Sequence, residues 1–159
     1  MVKKILFVCL GNICRSPAAE GIFKQKIQDR ALEDFFVVDS AGTGGWHVGN
    51  LPDLRMREAA LLRGIELTSR SRQIEENDLY EFDHILVMDK DNLRAVRLLN
   101  KNHSKSVNSK IELILKYCQD SKLDEVPDPY YGAQDGFDEV LDLLDTALDG
   151  LIEILIDCS

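Results

Sequence analysis

The chain has 159 residues, of which 45% are hydrophobic and 30% charged, and it carries a formal net charge of −9 at neutral pH. That length predicts one domain, 1–159, with a core large enough to stand without metal or disulfide staples. The charge argues against general nucleic-acid binding and against attraction to an acidic membrane, and no stretch is long and apolar enough to span a bilayer.

Met1-Val2-Lys3-Lys4 and the apolar residues after it imitate a signal peptide. The apolar run is short, however, and Asn12 and Arg15 lie where its end should be. A first strand and a cytoplasmic protein are therefore expected. Ile5-Leu6-Phe7-Val8 reads as a buried strand. Ser16 followed by Pro17 reads as a helix N-cap and first helical residue. Cys9-Leu10-Gly11-Asn12-Ile13-Cys14-Arg15-Ser16 is then a loop from a strand's carboxyl end to a helix's amino end. Ligands of open α/β sheets bind at such places, and the free N–H groups and positive helix end favour an anion.

Cys9 opens this loop and Arg15 closes it, with five residues between. Successive amides can form a nest around an oxyanion. Arg15 adds a planar fork matched to two phosphate oxygens. A thiol in that field is expected to ionise readily. Asn12 tolerates the left-handed backbone that a tight anion loop needs.

The first helix is expected to run to about Arg30, with Ala19, Ile22, Phe23 and Ile27 as its apolar stripe. Phe35-Phe36-Val37-Val38 reads as a second buried strand ending at Asp39-Ser40-Ala41-Gly42. Residues 43–52, with the only tryptophan, form a loop. A helix over 53–63 would turn Leu54, Ala60 and Leu61 inward and stop at Gly64. Residues 65–72 fit no single class. A brief helix follows at 77–80, a third strand at 84–88 ending in Asp89, a helix at 91–100 and a polar connection over 101–109. A fourth strand at 111–115 precedes a long loop, 121–136, containing Asp128-Pro129-Tyr130-Tyr131. Val140, Leu141, Leu144, Leu148, Leu151, Ile152 and Leu155 then repeat at helical spacing. Strand and helix alternate throughout, which implies an α/β fold, a parallel sheet covered on both faces.

The four cysteines, Cys9, Cys14, Cys118 and Cys158, show no zinc-site spacing. His47, His84 and His103 are scattered and read as surface or packing residues. No metal and no cofactor is expected.

The unbroken stretch from Val8 to Ala19 resembles the phosphate loop of the low-molecular-weight protein tyrosine phosphatases. The resemblance extends to Asp39-Ser40-Ala41-Gly42-Thr43 and Asp128-Pro129-Tyr130-Tyr131-Gly132. It implies a flavodoxin-like single domain with strand order 2-1-3-4 that hydrolyses phosphotyrosine in proteins. Cys9 would be the nucleophile that forms a phosphocysteine, Arg15 the clamp on the phosphoryl oxygens and Asp128 the general acid and then base. Leu10, Gly11, Asn12, Ile13, Cys14 and Ser16 would hold the substrate, with Leu10 and Ile13 flanking its ring and Trp46, Tyr130 and Tyr131 walling it. Ser40 would hold the Asn12 side chain, Ser16 would hydrogen-bond the Cys9 thiolate, and Asp89 would position Arg15. Cys14 is open to two readings, a reversible disulfide with Cys9 or a small loop filler. Phosphate or another oxyanion would occupy the loop, and the protein would be a monomer with at most weak self-association. Some animal members carry a histidine within the segment 67–72; this chain has none, which leaves open what braces the loop there.

Four rivals share parts of this pattern. Arsenate reductases of the thioredoxin-coupled type need further cysteines near the end of strand three, and residues 69–117 hold none. Protein arginine phosphatases carry Thr where this chain has Ile13, which suits an aryl ring instead. A phosphocysteine carrier of a sugar-uptake system would have no use for an acid at Asp128. A flavin-binding module would need hydroxyls in the loop rather than Cys9.

Overall fold

The computed structural model describes residues 1–100, 106–132 and 135–157. His103, Cys158 and the first half of the expected polar connection, 101–105, lie outside the described residues. The sheet is built on β1 (Lys3–Cys9), whose Ile5, Leu6, Phe7 and Val8 are all fully buried. Alternation along the strand divides them between two layers. Ile5, Phe7 and Cys9 pack on one face, and Leu6 and Val8 on the other.

β2 (Phe36–Gly42), β3 (His84–Val87) and β4 (Lys110–Leu113) complete a four-stranded parallel sheet in the order 2-1-3-4. The first face is covered by α1 (Arg15–Asp29), α2 (Leu54–Leu61) and α5 (Asp135–Asp157), through residues such as Ile22, Met56 and Leu148. The opposite face is covered by α3 (Asp78–Glu81) and α4 (Lys90–Arg97), through Leu79 and Val96. The fold is the expected flavodoxin-like one. Because β1 is flanked by β2 on one side and β3 on the other, the chain leaving β1 meets the carboxyl ends of both neighbours. This is the topological switch point, where ligands of such sheets bind.

Four local expectations need correction. The first helix begins at Arg15, and its N-cap position is Cys14, which makes no side-chain capping bond. Ser16 is therefore not the cap, because its hydroxyl faces inward to Cys9. β2 is an edge strand rather than a buried one: Val37 is 45% exposed, and Phe35 lies in the preceding 3-10 turn, Glu33–Phe35. α2 turns Met56, Ala59 and Ala60 inward, while Leu54 and Leu61 are 57% and 62% exposed. Small residues let α2 approach the core, and Asp53, accepting from the Arg55 amide, caps it. The fourth strand stops at Leu113 and winds into a 3-10 turn, Ile114–Tyr117.

That turn sets a close contact with α5. A β-carbon on Gly150 would lie 2.1 Å from the Tyr117 carbonyl oxygen. Alanine is the better helix former by about 1 kcal/mol, but overpacking against backbone costs about 1–3 kcal/mol or more. Gly150→Ala is expected to lower the urea midpoint at unchanged slope.

His84 opens β3 with its Nδ1 buried and unpartnered. Burial, and then Lys3, push its pKa below the ordinary value. A histidine whose folded pKa is depressed stabilises the fold above its unfolded pKa of about 6.5, and loses that contribution as pH falls below it. Urea midpoints at about pH 7.5 and 5.5 should fall less between the two for His84→Gln than for the wild type.

Candidate active site

The strand's rigidity hands the chain to a loop that reverses at Asn12, whose φ is 57°. The Asn12 side chain has three partners. Its Oδ1 accepts from the Arg72 backbone N–H at 3.0 Å. That donor can only donate, so the other end of the amide must be nitrogen. Nδ2 donates to Ser16 Oγ at 2.8 Å and to Ser40 Oγ at 3.0 Å. Ser40 passes its own proton to the buried Glu20 at 2.6 Å. Ser16, having accepted from Asn12, can send its proton to Cys9 Sγ at 3.0 Å or to the Ala41 carbonyl at 3.4 Å. The shorter contact is the sulfur. The Asn12 backbone N–H also donates to Sγ, at 3.3 Å. A thiolate at Cys9 has no proton to give and would accept from both groups.

Arg15 stands in the first turn of α1 and is only 2% exposed. Its Nη1 donates to Asp89 Oδ2 at 2.7 Å and to the Val126 carbonyl at 3.0 Å, and its Nη2 lies 3.5 Å from Asp128 Oδ2. Burial works against the charge, but Cys9, Asp89 and Asp128 outweigh it and raise the pKa. Asp89 uses its other oxygen to cap α4, accepting from the Asn92 N–H at 2.8 Å. Asp128 stands at the start of a 3-10 turn, Pro129–Tyr131, and its Oδ1 accepts from the Tyr130 N–H at 3.0 Å. Oδ2 is left toward Arg15.

A cavity of about 310 Å3 opens over these groups. Cys9 and Arg15 form its floor, and Leu10, Gly11, Ile13 and Cys14 its lower wall. Trp46, His47, Tyr130 and Tyr131 form the rim with Asp128. Tyr130 and Tyr131 meet edge to face, 5.0 Å between ring centroids. Trp46 and Tyr131 are 72% and 83% exposed, so the aromatic rim faces solvent.

Asn12 and Ser16, expected against the substrate, do not line the cavity; they are buried beneath Cys9 and brace it. Ser40 and Asp89 also stand outside it, bonded to Asn12 and Arg15 respectively. Cys14 lines it as a free cysteine, like Cys9. Burial first, and then Asp53, Cys9 and Asp128, push the Cys14 thiol far up, so it stays protonated. His47, read as a surface or packing residue, belongs to the rim. The segment 67–72 braces the loop without a histidine, through Ser71 Oγ donating to the Gly11 carbonyl at 3.1 Å and the Arg72 N–H on Asn12. Glu20 was also missed. Its signal is its place one turn beyond Ser16, a carboxylate set among the apolar positions of α1. The Val126 carbonyl has no side-chain signal to find.

The family model for low molecular weight phosphotyrosine protein phosphatase matches residues 4–157. The low molecular weight protein-tyrosine-phosphatase YfkJ of Bacillus subtilis is 43% identical over 153 residues, covering 93% of this chain and 92% of that protein. The protein tyrosine phosphatase of Entamoeba histolytica, crystallised with Hepes in the active site, superposes with a TM-score of 0.90 at 42% identity. That match covers 98% of this chain and 97% of the other. An arginine phosphatase of Drosophila superposes equally well, TM-score 0.90, at 32% identity over 96% of this chain and 97% of its own.

The rim yields a test of its own. A β-carbon on Gly44 would fall 1.8 Å from the Trp46 ring, so the indole rests directly on that glycine's backbone. Gly44→Ala should drive the indole further into water. Trp46 is the only tryptophan, so the change is read directly as a red shift of intrinsic emission at an unchanged thermal midpoint.

Proposed function

The chain belongs to the low molecular weight phosphotyrosine protein phosphatase family, and on that premise we propose that it hydrolyses phosphotyrosine in proteins through a phosphocysteine formed on Cys9. The observation that carries this reading is the convergence, in one cavity, of a sulfur receiving two hydrogen bonds, a buried guanidinium and a carboxyl group.

The Cys9 thiolate attacks phosphorus in line with the aryl oxygen. The P–S bond forms as the P–O bond breaks, and the bonding pair leaves on the phenolate oxygen. Asp128, protonated through Oδ2, gives that oxygen its proton and becomes a carboxylate. Arg15 and the loop amides hold the phosphoryl oxygens throughout, where charge is spread in the transition state. In the second half, Asp128 takes a proton from water as the water oxygen attacks phosphorus. The P–S bond breaks, its electron pair returns to Cys9, and phosphate departs. Ser16 is placed to donate to the sulfur as that charge returns.

The substrate class follows from the rim. Trp46, Tyr130 and Tyr131, with Leu10 and Ile13 below, present apolar and aromatic surface to a flat ring. Phosphoserine has no ring to fill that space. A phosphoarginine reading is the second candidate, supported by the likeness to the Drosophila enzyme; the apolar Ile13 favours the aryl ring. We read 1–159 as one phosphatase domain acting as a monomer on phosphotyrosine proteins. Two unpaired thiols within one loop suit the reducing cytoplasm.

Turnover in the presence of a chelator should be selective for a phosphotyrosine peptide over phosphoserine and phosphoarginine peptides. Cys9→Ser should abolish it, and Asp128→Ala should lower it by about 10²–10⁴-fold. Preference for phosphoarginine would overturn the reading of Ile13, and absence of turnover on all three would overturn the reading as a whole.

A further inference from the structure

Arg55, in the first turn of α2, touches neither the sulfur nor the floor of the cavity, yet it joins two loops that do. Its Nε and Nη2 donate to the two carboxylate oxygens of Asp53 at 3.2 and 3.1 Å, a planar fork on a planar acceptor. Nη2 also donates to the Tyr130 carbonyl at 3.2 Å. The guanidinium carbon lies 5.5 Å from the Tyr130 ring centroid and 4.7 Å from that of Phe137, within cation–π range of both. Burial works against the Asp53 carboxylate, but the hydrogen bonds from Arg55 outweigh it and hold its pKa down, so the pair is charged on both sides.

Each end of this clamp continues into the site. The Asp53 N–H donates to the Ile13 carbonyl at 2.7 Å, within the loop that cradles the anion. Tyr130 gives its carbonyl to Arg55 and its N–H to Asp128 Oδ1. One residue, Tyr130, therefore links the guanidinium to the N–H that orients the Asp128 carboxyl. The turn it holds has little burial of its own. Only Pro129 is buried, and Tyr131 stands 83% exposed. Buried Pro129 and the longer Arg15–Asp128 contact at 3.5 Å are its other anchors, so a tie to Arg55 adds much of its rigidity.

We propose that Arg55 is a positioning residue that ties the turn over 128–131 to the anion loop and so sets where Asp128 delivers its proton. The proposal rests on the reading of Asp128 as the general acid. It does not make Arg55 a ligand of the phosphoryl group. A cation placed only to attract a dianion would need no fork, and lysine would replace it; lysine cannot hold Asp53 and the Tyr130 carbonyl in one plane.

The test compares kcat/KM for two esters, because that constant reads the steps up to departure of the leaving group. Phenyl phosphate needs a proton on its leaving oxygen, and 2,4-dinitrophenyl phosphate does not. Wild type, Asp128→Asn, Arg55→Met and Arg55→Lys are compared at equal folded fraction, judged from thermal midpoints. Both Arg55 variants should lose about tenfold or more on phenyl phosphate and less than about threefold on the dinitrophenyl ester, the same pattern as Asp128→Asn in milder form. Equal losses on both esters in Arg55→Met, or full recovery of phenyl phosphate turnover in Arg55→Lys, would overturn the proposal. An Asp128→Asn enzyme that treats both esters alike would remove the acid assignment and this proposal with it. A wild type inactive on both would instead sink the phosphatase reading.

Discussion

A guanidinium cannot be buried alone, and the carboxylates that Arg15 requires organise everything around it. Removing such a charge from water costs several kcal/mol unless partners replace the lost hydration. Here the partners come from separate parts of the chain: Asp89 just after β3, the Val126 carbonyl and Asp128 from the long loop before α5. Val126 is itself fixed by donating its N–H to the Met88 carbonyl. The requirement of one side chain thus draws two distant segments to the end of β1. Asp89 serves two masters, since one oxygen holds Arg15 and the other caps α4. The start of a helix on one face of the sheet is thereby coupled to the orientation of a side chain on the helix across it.

The balance of charge at the site is equally local. The chain carries nine excess negative charges, yet many of the acids lie far from the cavity. α5 presents Asp138, Asp142, Asp145, Asp149 and Glu153 to solvent, where Arg63, Lys26 and Arg30 meet them. Such exposed pairs contribute little individually. Within the cavity, Arg15 faces Asp89, Asp128 and the sulfur together.

Long-range order was legible where physics acts through side-chain period. The apolar run of β1, the stripe of α1 and the heptad-like spacing of α5 all lie buried as their patterns imply. The Cys9-to-Arg15 spacing put a thiol and a guanidinium on one loop, and both side chains line the cavity. Legibility failed where a residue had two possible uses. Ser16 has the chemistry of an N-cap and of a sulfur donor, and only tertiary contact with Cys9 decides between them. Leu54 and Leu61 look inward by hydropathy, but Met56, Ala59 and Ala60 fit closer to the core. Val37 looks buried, yet an edge strand has one neighbour fewer to cover it, and Phe35 lies in the 3-10 turn before that strand. Backbone groups such as the Val126 carbonyl carry no letter at all.

The left-handed turn at Asn12 has a consequence for how this chain can vary. A φ of 57° is open at modest cost to asparagine, aspartate and glycine, and costs most other residues about 1–2 kcal/mol. The surroundings apply a second filter: one acceptor facing the Arg72 N–H, and two donors facing the hydroxyls of Ser16 and Ser40. Glycine passes the first filter and supplies none of the three bonds. Aspartate passes the first filter and would set a carboxylate where donors are needed, close to Glu20 and the sulfur. Glutamine has the right amide on a stem one carbon too long. Steric and chemical alphabets, each several letters wide, overlap there in a single letter. The exposed acidic face of α5 is under neither rule, whereas this position is held by the intersection of two independent ones.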